Sequence, residues 1–420
     1  MGSFPRKFWF GSLHIAGLRP TMTLAQILKC DPSSVSFTPS GRLEISSPET
    51  LQSLQTAVRH LKSRHPVVFP TETVYGLGAL ALDPIASSLI FSTKGRPADN
   101  PLIVHVSSMQ MLHRLIPNDF TIPHSYRVLM TRFWPGGLTL LFPSNSSIVP
   151  SVITAQQPTV AVRMPSHLIA RALITLTDAP IAAPSANSSG TPSPTTAEHV
   201  FLDLGSKLGY ILDGGPCAVG VESTVIDGLN EDGSIRVLRP GGVTVENIER
   251  VLKEDLPDDQ HIPRVLVHRR DYSDEVLEAA PTTPGMKYRH YSPSVPVTLL
   301  MTISPPPTGV IPQDIHSYLT TLSSTPNTPS PTRVGVMFLT DSPLGTYHLP
   351  HLNSVEWHRY ELGPKSDPSI AARRLFNGLL SLEREGVHTI LIEEIEEVKE
   401  GLAVMNRVQK AATQSSWVYV

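Results

Sequence analysis

Cysteine is nearly absent from this chain: two occur in 420 residues, Cys30 and Cys217, far apart and in no metal-ligand spacing. That scarcity excludes a disulfide framework and a cysteine zinc site, and it points to a reducing compartment, the cytoplasm. No apolar run approaches the roughly 18 to 20 residues of a membrane span. Strong charge is missing too, with a net value of −3, so no global field draws in nucleic acid and any basic surface must be local. There is no Walker-type glycine–lysine loop, no G-x-S-x-G elbow and no H-E-x-x-H. A covalent nucleophile or a zinc-bound water is therefore not advertised. "GLGALA" at 76–81 matches the dinucleotide fingerprint only formally. "PTET" interrupts the preceding strand, and Asp99 lies in a polar loop where the fingerprint needs a strand end.

Acid is absent from the first 30 residues, which carry Arg6, Lys7, Arg19 and Lys29. This is the composition of a mitochondrial presequence, with Met22 available as a second start that removes most of it. A loosely docked arm has the same composition, and both readings stand. The residue types after Gly2 do not fit myristoylation.

Organisation comes from the apolar spacing. Residues 1–49 read as an N-terminal arm, and "TLQSLQTAVRHLKSRH" puts Leu51, Leu54, Val58 and Leu61 on one helical stripe. "PVVFPTETVYGLGALAL" reads as a short strand that breaks into a glycine-punctuated turn. Short strands follow at "PLIVHV", "LTLLF", "TVAVRMP", "PIAAPSAN", "GYILDGG" and "ESTVIDG", with helical stretches "PIASSLIFSTKG" and "PSHLIARALITL" between them. The mixture predicts one α/β domain over 50–255. Residues 256–297 read as a proline-rich linker. A second, smaller α/β unit follows over 298–420, with buried strands in "RVGVMFLT" and "HTILIEEI" and a helix in "PSIAARRLFNGLLSLERE". Residues 304–332, rich in Pro, Ser and Thr, predict a disordered insertion.

Six polar, small-residue turns close the strands of the first domain: "FPTETVYG", "KGRPADNP", "AVRMP", "APSANSSGTPS", "GVESTVID" and "VLRPGG". Each alone is ordinary, since an arginine before proline is usually a solvated turn residue and a strand histidine usually a core one. Together they bring Lys94, Arg96, Arg163 and Arg239 to strand ends, where open α/β folds bind ligands. Such a set suits ligands that carry a polyphosphate and a carboxylate.

In this order "FPTETVYGLG", "KGRPADNPLIVHV", "WPGGLTLLF", "VAVRMP", "PSANSSGTPSPT", "VESTVID" and "LRPG" resemble the YrdC-like domain family. The "PTTPGMKYRHYSP" linker and the terminal unit are similar to those of two-domain threonylcarbamoyl-adenylate synthases. The resemblance implies a YrdC-like twisted mixed sheet with helices, followed by a smaller Rossmann-like α/β domain. It implies condensation of L-threonine, bicarbonate and ATP to threonylcarbamoyl-AMP and pyrophosphate. The product would pass to the transferase machinery that makes N6-threonylcarbamoyladenosine in ANN-decoding tRNA.

Carried over by motif, Thr73, His105, Arg163, Ala183 and Ser223 match the threonine pocket. Arg96, Asn100, Thr159, Ser185, Ser193 and Arg239 match the ATP side, and Lys94 with Arg96 would stabilise charge during the reaction. Tyr291 matches a tyrosine that closes over the nucleotide. No protein metal ligand is expected, because Mg²⁺ would ride on the ATP phosphates. The linker's cluster of Met286, Lys287, Tyr288, Arg289, His290 and Tyr291 between Pro284 and Pro293 predicts a lid. Two other classes fit parts of the pattern. One is an RNA-binding YrdC-like module without synthase activity, against which the acidic net charge argues. The other is a carbamoyl transferase, whose zinc-finger C-x-x-C pairs this chain lacks.

Overall fold

The computed structural model describes residues 24–256, 262–274, 290–322 and 331–420. The presequence-like segment with Met22, linker residues 257–261 and 275–289, and part of the expected insertion (323–330) lie outside them.

The opening helix runs Pro48–Lys62, and its ends follow from the sequence. Ser47 caps the N-terminus by accepting from the Thr50 amide, Pro48 takes the first turn, and Arg59, His60 and Lys62 sit at the carbonyl end. Its stripe of Leu54, Ala57, Val58 and Leu61 is buried against the first sheet.

That sheet has eleven strands. Its spatial order is Gln26–Lys29, Tyr210–Asp213, Val67–Phe69, Gly76–Leu80, Ile181–Ala182, Val104–His105, Thr159–Arg163, Leu138–Pro143, Thr224–Asp227, Ile235–Arg239, Val265–Val267. Parallel and antiparallel pairs both occur along it, as expected of a mixed sheet. Side-chain alternation divides the two faces. Val160 and Val162 join the large helix-covered core, whereas Ala161 belongs to a separate small cluster with Ile103, Leu141, Val225 and Leu238 on the opposite face.

Three boundaries differ from those expected. Residues 24–49 are not an arm: Gln26–Lys29 pairs with Tyr210–Asp213 as an edge strand, and Val35–Phe37 forms a hairpin with Leu43–Ile45. The basic composition of the preceding segment hid a strand whose neighbours Ala25 and Cys30 are buried. The linker is shortened, because Val265–Val267 adds the other edge strand, beside Ile235–Val237. The insertion is partly structured, with a helix Ile315–Thr321 that buries Ile315, Tyr318 and Leu319. Three apolar side chains at helical spacing outweighed the Pro and Ser around them. The glycines of "GLGALA" lie in a strand rather than a turn. A Cβ at Gly78 would fall 2.5 Å from the Phe69 ring, so the residue permits close strand packing.

The second sheet has six strands, all parallel, in the order Gln313–Asp314, Gln414–Tyr419, Val297–Met301, Thr389–Glu393, Thr332–Leu339, Val355–Gly363. Apolar clusters cover both faces, which is why its inner strands read as continuous hydrophobic runs. One of those clusters crosses between the domains. Val74 and Val221 of the first domain pack with Leu375, Phe376, Val404 and Val408 of the second, and Tyr291 sits among them.

Candidate active site

A cavity lies where the polar turns of the first domain converge. Its wall includes Thr73, Lys94, Arg96, His105, Arg163, Ala183, Ser185, Ser193, Ser223, Arg239 and Tyr291. Every site residue expected from the motifs is therefore present except Asn100 and Thr159. Asn100 is buried beside Arg96, which donates to its backbone carbonyl, and its own Oδ1 has no hydrogen-bond partner. Thr159 begins the strand that Arg163 ends, so it faces the far margin of the same sheet face, with its Oγ1 also unpartnered. The small apolar cluster around Ala161 shares that sheet face.

At one pole, the loop "PTETV" is folded by Thr71, whose Oγ1 accepts from the Thr73 and Val74 amides. This turn presents Thr73 and Glu72 to Arg163. Arg163 donates Nη1 to Thr73 Oγ1 at 2.9 Å, Nε to the Gly136 carbonyl at 3.1 Å, and Nη2 to Glu72 Oε1. Burial alone would raise the Glu72 carboxyl, but Arg163 and backbone amides more than reverse this and hold it below its usual range. His105 is paired in register with Arg163 on the adjacent strand. Burial, reinforced by the nearby Arg163 charge, pushes its imidazole down to about 3, so it is neutral. Its Nδ1 is buried and without a partner, in a wall of the cavity.

At the other pole, the helix Pro84–Lys94 stops at Gly95, whose left-handed φ of 63° turns the chain back so that the Arg96 amide reaches the Phe91 carbonyl. That turn aims Lys94 and Arg96 inward. Lys94 Nζ donates to the carbonyls of Ser185 and Asn187 and, at 3.3 Å, to Asn187 Oδ1. Burial and the adjacent Arg96 charge hold its amine well below the ordinary lysine range. Arg96 is brought down to about 10 by burial and by Arg239. Arg239 donates to the Ser223 carbonyl at 2.9 Å and to Ser223 Oγ at 3.1 Å, and Thr139 Oγ1 meets Ser223 Oγ at 2.8 Å. Four cations from separate turns, Arg163, Lys94, Arg96 and Arg239, thus line one cavity.

Tyr291 closes the cavity from the linker. It is buried, with a φ of 65°, a conformation that a non-glycine residue adopts only under constraint. The Ser292 amide is held by the Gly190 carbonyl at 2.8 Å, which ties the linker to the "SANSSG" turn.

The motif reading missed several participants. Glu222, within "VESTVID", is an acid among cations and carries no motif signal of its own. It lines the cavity, accepts from Ser193 Oγ at 2.5 Å, and is paired with Arg407 of the second domain. Arg407 had a signal, since it lies on the apolar stripe of Ala403, Val404, Val408 and Ala411, where a cation needs a buried partner.

Among the described residues there is no group of three His, Cys, Asp or Glu side chains that could hold a metal ion. The cavity's acid, Glu222, and the neighbouring Glu72 are both engaged by arginines.

A family model described as "Telomere recombination" (Sua5_yciO_yrdC) matches residues 59–241, and one described as "Threonylcarbamoyl-AMP synthase, C-terminal domain" matches 243–413. The threonylcarbamoyl-AMP synthase of Schizosaccharomyces pombe is 40% identical over 91% of this chain and 94% of its own. That of Pyrococcus abyssi is 43% identical over 86% and 94%. The crystal structure of P. abyssi Sua5 complexed with L-threonine superposes with a TM-score of 0.73 at 38% identity, covering 94% of this chain and all of that one (100%). Two family domains in tandem and relatives aligned over nearly their whole length lead to one conclusion: this chain belongs to the threonylcarbamoyl-AMP synthase family.

Proposed function

We propose that this protein condenses L-threonine, bicarbonate and ATP into L-threonylcarbamoyl-AMP, releasing pyrophosphate. The product serves the N6-threonylcarbamoyl modification of ANN-decoding tRNA. The observation that carries the reading is the two-poled cavity: a buried Arg163 backed by Thr73 at one end, and Lys94, Arg96 and Arg239 at the other.

The chemistry needs no covalent enzyme intermediate. Arg163 takes the threonine carboxylate in place of part of its present hydrogen bonding, and Ala183 offers a small apolar surface to the methyl group. The neutral His105 presents an unpartnered Nδ1 to this pole without adding charge. Threonine's neutral amine forms an N–C bond to carbon dioxide with loss of a proton, or to bicarbonate with loss of water, to give a carbamate. A carbamate oxygen attacks the α-phosphorus, a new P–O bond forms, and the bond to the β-phosphate oxygen breaks as pyrophosphate leaves. The chain's task is alignment and charge stabilisation by preset donors. Anionic phosphate beside Lys94 favours its protonated form, offsetting the burial that lowers its pKa. Magnesium enters as MgATP, a substrate, and no residue here is assigned to it as a ligand. Tyr291 and His290, which line the cavity, exclude water from a hydrolysable acyl-adenylate.

The test is mass spectrometry of a reaction containing ATP, Mg²⁺, bicarbonate and each amino acid in turn. Threonylcarbamoyl-AMP formed with threonine, together with pyrophosphate, supports the reading. ATP turnover with none of the amino acids refutes it.

A further inference from the structure

A side chain of the second domain braces two residues of the cavity wall, Glu222 and Tyr291, from behind. Arg407, on the helix Glu400–Ala411, is fully buried although it carries a charge. It donates Nε and Nη2 to Glu222 Oε2 at 3.1 and 3.0 Å. Its Nη1 serves the Pro240 carbonyl of the first domain and, at 3.3 Å, the Ala403 carbonyl of its own helix. The Tyr291 ring centroid lies 5.7 Å from its guanidinium, and the Phe376 ring of the second domain packs against that ring at a tilt of 34°, centroids 5.4 Å apart.

These contacts end at the nucleotide pole. Glu222 Oε1 orients the Ser193 hydroxyl, and both residues line the cavity with Tyr291. A carboxylate is an awkward neighbour for a triphosphate. Alone, Glu222 would repel the incoming phosphates and compete for Lys94, Arg96 and Arg239. Paired with Arg407, the site keeps its oriented oxygen while the local charge is cancelled. A tether between domains could use any surface, but this one ends on a carboxylate, a hydroxyl and a tyrosine that face the substrate.

We propose that Arg407 is a positioning residue of the synthase site, through which the second domain neutralises Glu222 and holds Tyr291 for ATP binding. The proposal takes its substrates from the synthase reading above. Its tests read nucleotide binding directly, so they stand apart from whether product forms.

Three proteins are compared for binding of a non-hydrolysable ATP analogue and for steady-state constants: the full chain, Arg407→Met, and Arg407→Met with Glu222→Gln. An uncompensated unit charge within about 10 Å, at an effective dielectric near 20, changes a binding constant roughly tenfold. Arg407→Met should weaken the analogue by about that factor, and the added Glu222→Gln should recover most of the loss. The threonine KM should change less than nucleotide binding, because Arg163 and Thr73 bond to each other and Arg163 to Glu72, with no hydrogen bond to the pair. Equal weakening of both substrates with no recovery in the double variant would reduce Arg407 to a structural pair and overturn the proposal. A second measurement uses only the unaltered chain, in case Arg407→Met does not fold. The analogue should slow amide hydrogen exchange in the helix Glu400–Ala411, while threonine alone leaves it unchanged. Exchange there that is indifferent to the analogue would equally overturn it.

Discussion

Replacing Arg163 with methionine separates two roles held by one guanidinium. The side chain is 4% exposed and Glu72 12%, so the substitution leaves a buried carboxylate without its cation. Breaking one partner of a buried pair costs about 3 to 5 kcal/mol. Glu72 Oε2 still accepts the Ser166 amide at 3.0 Å and the His167 amide at 3.4 Å, which puts the expected loss near the lower end, about 3 kcal/mol. Adding Glu72→Gln removes the stranded charge and should return stability to within about 1 kcal/mol of the original. Threonine binding should behave differently. Losing a desolvated charge partner for the carboxylate weakens binding by about 2 to 5 kcal/mol, and Glu72→Gln does nothing to restore it.

The pH dependence provides a sign. In the unaltered chain the Glu72 carboxyl is held below its usual range. Its stabilising contribution is therefore full above the unfolded value of about 4.3 and is lost as pH falls through the folded one. In Arg163→Met only burial and the amides remain, so the carboxyl is raised. Stability is then full below about 4.3 and is lost as pH rises. The gap between the two proteins should widen from pH 4.5 to pH 7 in urea unfolding, which reads ΔG directly. A gap independent of pH would refute the ion-pair account. Threonine affinity that recovers together with stability in the double variant would refute the carboxylate role.

Gly220→Ala should lower stability and activity together. Gly220 has a φ of 83°, and a Cβ there would lie 2.3 Å from Arg373 Cα in the second domain, so the interface must shift; thermal unfolding and turnover check it. The His105 imidazole should stay neutral down to pH 5 in an NMR titration, because burial and Arg163 hold it at about 3. The unfolded chain takes up that proton below about pH 6.5, so this histidine makes acid destabilising. Serine, which lacks only the methyl, should be disfavoured by roughly 1 to 3 kcal/mol in kcat/KM, and valine, which leaves polar groups unpaired, by more. A preference for valine over serine in the product assay would contradict the assigned pocket.

Most of the first domain was legible because short strands are interspersed with helices, most of which carry a side-chain N-cap. The helix Pro84–Lys94 is one such case, bracketed by Asp83 and Gly95. The edge strand Gln26–Lys29 was not legible. Edge strands show weak alternation, and this one pairs with Tyr210–Asp213, far away in sequence. Site residues were legible where a motif set a cation beside glycine or proline, as at Arg96 and Arg239. Glu72 and Glu222 escaped notice because a carboxylate in an anion site makes sense only once its arginine is seen. Those arginines, Arg163 and Arg407, come from other strands and another domain. Long-range pairing of this kind leaves no local spacing to read.

The apolar cluster shared by Val74, Val221, Tyr291 and the second domain's Phe376 and Val404 bears on how the chain melts. Two independent modules on a linker would unfold in two calorimetric steps, each with its own enthalpy. Here one unit cannot open without wetting side chains that the other keeps dry. Heat absorption should therefore merge toward a single peak whose calorimetric and van't Hoff enthalpies approach each other. Nucleotide that stabilises the first unit should then raise the melting of the second by the same linkage. A chain severed between the units would carry an exposed apolar face on each half, and such faces drive aggregation.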